Sequence, residues 1–155
     1  MATSSRVMRF NFLSIAALAS FAATASAQGN SCPEASRFGN VQVSPSTLSP
    51  GETFTVTADL TCAIQLGNTP TFLDYYISAT ATHTVSGPIL IARRTYDNST
   101  SPPIDKFTAV LPHWFYFADA TYSLLMDNSF ARAGPTGESV ITTGGILTPI
   151  NITGF

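Results

Sequence analysis

The chain has 155 residues, 45% of them hydrophobic and only 10% charged, and its seven basic and nine acidic side chains leave a formal charge of −2 at neutral pH. A single lysine and no basic cluster exclude the electrostatic footprint that a nucleic-acid backbone requires. The two cysteines and two histidines lack the close pairwise spacing of a structural zinc site, and no run after the first 27 residues reaches the roughly 18–20 apolar positions of a membrane-spanning helix.

The N-terminus reads as a leader. Residues 1–9 carry Arg6 and Arg9 as their only charges, residues 10–25 are apolar apart from Asn11, Ser14, Ser20 and Thr24, and Ala25-Ser26-Ala27 offers the small side chains that signal peptidase reads. Cleavage after Ala27 leaves residues 28–155, 155 − 27 = 128 residues, the size of one domain. The mature charge becomes 5 − 9 = −4, because both leader arginines depart. The expected location is extracellular, where thiols oxidise. Cys32 and Cys62 are therefore expected to pair, closing a loop of about thirty residues worth roughly 3–4 kcal/mol in the chain-entropy model.

A short strand at residues 41–43 is followed by a proline-interrupted connection, in which Pro50-Gly51 favours a tight turn. Residues 53–62 then alternate perfectly, with Phe54, Val56, Ala58, Leu60 and Cys62 on one face and threonines and Asp59 on the other. That is a strand buried on one side. Residues 73–82 alternate in the same way, and an apolar strand follows at 89–96. A loop at 97–103, closed by Pro102-Pro103, precedes a strand around Phe107, Ala109 and Leu111, and another around Tyr122, Leu124 and Met126 ends before Asp127-Asn128-Ser129. After a turn at Gly134-Pro135-Thr136-Gly137 come one or two last strands around Gly144-Gly145. No segment after the leader keeps a helical period over ten residues. Seven or eight short strands separated by turn residues predict an all-β, antiparallel sandwich.

Some of these residues resemble a family. Residues 43–56, Val43-Ser44-Pro45 through Thr55-Val56, are similar to the first two strands of extracellular immunoglobulin-like and fibronectin-III-like modules, and residues 118–124, with Tyr122, resemble their penultimate strand. The resemblance implies an immunoglobulin-like sandwich in which Tyr122 closes a corner by bonding back to the backbone. The cysteines and Trp114 do not stand at antibody-domain positions, which excludes that subtype. Leader, Ser/Thr richness and single lysine together resemble small secreted proteins of filamentous fungi. Pro50-Gly51 and Leu111-Pro112 ahead of Tyr122 also resemble the MD-2-related lipid-recognition sandwiches, which implies a lipid held between the sheets.

The search for chemistry finds little. Gly137-Glu138-Ser139 fails as a nucleophile elbow because Ile141 stands where the second glycine belongs. His83 and His113 read as surface or corner residues, and Asp97-Asn98 and Asp127-Asn128 as Asx turns, lacking the spaced acids and glycine of a calcium loop. Catalytic residues, cofactors and metal ligands are not expected. Two sequons, Asn98-Ser99-Thr100 and Asn151-Ile152-Thr153, are candidate glycosylation sites. Trp114-Phe115-Tyr116-Phe117 is a candidate binding surface, since alternation buries two of the four and leaves two exposed to stack on a sugar ring or a protein partner. The expected function is a secreted, non-catalytic binding or surface module for a cell-wall, glycan or protein partner. A lipid-binding sandwich is second and a glycan- or ester-acting enzyme third. The sequence assigns no oligomeric state.

Overall fold

The computed structural model describes residues 32–80 and 87–155. The leader and His83 lie outside the described residues. Among the described residues, eight strands form two sheets: β1 Asn40–Ser44, β2 Thr47–Leu48, β3 Thr53–Asp59, β4 Phe72–Thr80, β5 Ile89–Thr95, β6 Ile104–Val110, β7 Thr121–Ala133 and β8 Ser139–Ile152. One sheet has the order β1-β3-β6 and the other β2-β8-β7-β4-β5. All pairings are antiparallel except the two-residue contact of β2 with β8.

The core lies between the sheets and is filled by side chains from both. Phe54, Val56 and Ala58 of β3 meet Leu73, Tyr75 and Ile77 of β4 and Leu124 and Met126 of β7, all essentially without solvent exposure. Alternation causes this, because successive side chains on a strand point to opposite faces. The threonines of β3 face outward, as the sequence predicts. Among the described residues, no helix is long and apolar enough to cross a membrane.

Three expectations are corrected. The strand predicted over residues 53–62 stops at Asp59, and residues 61–65 form a short helix, α1 Thr61–Gln65. Asp59 accepts a hydrogen bond from the Thr61 backbone N–H (2.9 Å) and turns the chain out of the sheet. The connection after β1 contains β2, whose buried Leu48 plugs the core beside Ile152. The strand at Tyr122 does not end before Asp127-Asn128-Ser129. It continues to Ala133, because Asn128 turns inward and its side-chain amide donates to the Asn68 carbonyl at 2.9 Å. Of the one or two last strands expected, there is one: β8 runs unbroken through Gly144 and Gly145. A Cβ at Gly144 would land in the Phe38 ring, and one at Gly145 would meet the Asp127 carboxylate. The glycines make room for neighbours instead of ending the strand.

The Cys32–Cys62 disulfide is present, with Cα atoms 5.3 Å apart. It ties the segment before the 3-10 turn Glu34–Ser36 to α1, and not to the end of a strand.

Candidate functional site

The chain crosses from one sheet to the other between β6 and β7, and this crossing carries the aromatic run. Leu111 anchors its start: it is buried, and its backbone exchanges hydrogen bonds with Gly51 and Glu52, both at 2.8 Å. Tyr116 anchors its middle. Its hydroxyl donates to the Pro112 carbonyl at 2.8 Å, and its ring meets Tyr122 edge-on at 5.5 Å. Tyr122 secures the end, where the Phe117 backbone N–H donates to its hydroxyl at 2.6 Å. Burial, with the nearby Tyr122 second, pushes the Tyr116 hydroxyl up to about 12. It therefore remains a proton donor throughout the physiological range.

Between these anchors, Trp114 and Phe115 face solvent, with 53% and 83% of their surfaces exposed. Their rings stand 6.5 Å apart at 67°. The expectation that alternation sorts the four aromatics fails here. The segment is not a strand, so the two exposed rings are consecutive, Tyr116 is buried and Phe117 is half-buried. Beside them is an open depression of about 420 Å³ lined by Pro50, His113, Trp114, Phe115, Tyr116, Gly154 and Phe155. Phe155 joins through its contact with Tyr116, ring centres 5.7 Å apart. Sequence reasoning missed Pro50, Gly154 and Phe155 because they lie far from the aromatic run along the chain, and only the sheet topology gathers them. The lining residues include no aspartate or glutamate.

The side chains with strong electrostatic partners lie elsewhere. On the outer face of the five-stranded sheet, Arg93 grips Asp74 with two bonds of 2.7 Å. That grip lowers the Asp74 pKa against the opposing effect of burial. At the open side of the sandwich, Arg94 of β5 binds Asp105 of β6 (2.7 and 2.8 Å), and Tyr75 donates its hydroxyl to the same carboxylate at 2.9 Å. Burial, then Asp105, raises Tyr75 beyond the tyrosine range. This trio bridges the two sheets. Both arginines hold carboxylates in fixed ion pairs, an arrangement suited to structure.

Asn98 is exposed in the loop after β5, where Asp97 forms an Asx turn by accepting from the Ser99 N–H at 2.9 Å. The turn expected at Asp127-Asn128 is not formed, because both residues lie within β7. Asn151 is exposed near the end of β8, its N–H bonded to the Ser46 carbonyl. No group of three or more Cys, His, Asp or Glu side chains placed to hold a metal occurs among the described residues.

The fold and this corner define an all-β sandwich with a disulfide and an exposed aromatic ledge. Comparison with protein-family models, curated proteins and solved structures gives no match.

Proposed function

We propose that this is a secreted, non-catalytic binding module whose Trp114–Phe115 ledge docks on an extracellular glycan, with a wall polysaccharide as the preferred target. The observation that carries the reading is that two large apolar rings are held in solvent by a corner whose neighbours are fully anchored. An unanchored pair would fold back onto the surface. A tryptophan face presented this way suits the C–H-rich face of a sugar ring, and the open depression beside it, lined by aromatic rings and without acidic side chains, gives a saccharide room to lie against them. The filled space between the sheets supports binding at the surface over a lipid held inside.

Secretion after loss of residues 1–27 is supported by the disulfide, which an oxidising compartment maintains. The strand order supports the immunoglobulin-like reading. β1, β3 and β6 take the places of strands A, B and E, β4, β7 and β8 those of C, F and G, and Tyr122 bonds across the corner that opens strand F.

Sedimentation with insoluble cellulose, chitin and β-1,3-glucan particles tests the function. The secreted protein is expected to partition onto at least one of them, with Trp114→Ala and Phe115→Ala each weakening binding about tenfold while the fold is retained. Binding that survives both substitutions removes the ledge from the reading.

A further inference from the structure

The two outer faces of the sandwich differ. That of the three-stranded sheet carries Thr53, Thr55 and Thr57. The five-stranded sheet instead presents an apolar row: cross-strand pairing aligns Leu147, Leu125, Tyr76 and Leu90 on β8, β7, β4 and β5. Leu147 and Leu90 at its ends are 55% and 51% exposed. One register step to one side lies the row Gly145, Asp127, Asp74 and Arg93. One step to the other side lie Pro149, Ser123 and Ser78.

This arrangement is self-complementary. A twofold axis laid along the apolar row sets each of its side chains against its own copy and exchanges the two flanking rows. Asp127 then faces Ser123 of the second copy, Asp74 faces Ser78, and Gly145 faces Pro149. Asp74 and Ser123 are buried, at 6% and 8% exposure, and Arg93 holds both Asp74 oxygens, so Asp127 is the acid of these rows left to lose water, while a bare backbone meets a proline. An anionic lipid surface has no comparable fit, because the only cation in these rows, Arg93, is already held by Asp74.

We propose that this face is a homotypic interface, on which two copies of the chain stack sheet against sheet in mildly acidic surroundings. Four strands about 4.8 Å apart, with a rise of about 3.3 Å per residue, give roughly 600 Å² over the nine residues of β4. A standard interface uses about 800 Å² per partner. The association is therefore weak enough for one charge to control. Asp127 is that charge. Its side chain lies over Gly145, with Asp74 and Tyr76 of β4 and Arg93 of β5 as the ionisable neighbours, and Arg93 is committed to Asp74. Burial, then the Asp74 charge, raises its pKa, so acid neutralises it ahead of an ordinary carboxylate. Asn151 stands two register steps beyond Leu147 on the same face, so a glycan there would mark the rim.

The face is distinct from the aromatic ledge, so the two proposals stand or fall separately. Sedimentation equilibrium of the Asn151→Gln protein, with no glycan at the rim, gives the test at about pH 7.5 and about pH 4.5. The expected result is a monomer at the higher pH and a concentration-dependent doubling of mass at the lower. Asp127→Asn should double at both, Leu147→Asp at neither, and Trp114→Ala should behave as the parent. If Leu147→Asp does not fold by circular dichroism, Leu90→Asp at the other end of the row replaces it. A parent that stays monomeric in acid, or a dimer untouched by the row substitutions, overturns the proposal. So does acid-dependent binding of the monomer to phosphatidylcholine vesicles that the row substitutions abolish.

Discussion

Phe38 and Asp127 explain the two adjacent glycines of β8 better than any turn does. Each occupies the space that a side chain at Gly144 or Gly145 would need. Phe38 has little freedom to yield, since it rests against the Phe130 ring at 6.1 Å and under the Arg37 guanidinium at 4.6 Å. Gly144→Ala is expected to destabilise the protein by about 1–3 kcal/mol through overpacking. Urea denaturation measures this, and a wild-type midpoint would show that Phe38 can move at no cost. The Arg94–Asp105–Tyr75 trio makes a second prediction at this scale. Arg94→Gln leaves the buried Asp105 carboxylate without its charged partner and is expected to cost about 2 kcal/mol. Replacing Arg94 and Asp105 together by leucine should cost less than the single change, because no unpaired charge remains.

At the scale of elements, the sequence was legible where one rule acted alone. β3 and β4 alternate because one face is buried and the other wet, and β5 is bounded by turn formers. The structure departs from the sequence reading where a distant partner decided the outcome. α1 begins because Asp59 turns the chain and Cys62 is tied to Cys32, but the alternation of residues 53–62 continues through Leu60 and Cys62 and conceals the break. β2 is two residues long and exists only because β8 lies beside it. The ledge was half legible: four consecutive aromatics announce a surface, but which of them face solvent depends on anchors at Pro112 and Phe117 that no periodicity encodes. The disulfide makes a prediction at this scale. Replacing both cysteines by serine is expected to lower stability by about 3 kcal/mol, since the bridge restricts a long loop in the unfolded chain. An unchanged denaturation midpoint would show that α1 and its neighbours hold the N-terminal segment unaided.

For the whole molecule, Asp74 and Asp127 sit side by side on one face and pull the pH dependence of stability in opposite directions. The Asp74 pKa is lowered by Arg93. Its pairing therefore stabilises the fold above the ordinary carboxylate pKa and is lost as the pH falls through that value toward the depressed one. The Asp127 pKa is raised by burial. Its ionised form therefore burdens the fold above the raised pKa, and the burden lifts as the pH falls from there to the ordinary value. Stability should accordingly rise slightly on mild acidification and then fall. Urea midpoints between about pH 3 and about pH 7, taken at concentrations low enough to keep the chain monomeric, check this. Asp127→Asn should raise the neutral midpoint and flatten the mildly acidic rise. Asp74→Asn should lower the neutral midpoint and remove much of the acid loss. A rise that persists in Asp127→Asn would assign it to another carboxylate, and the acid sensitivity inferred for the outer face would then have lost its charge.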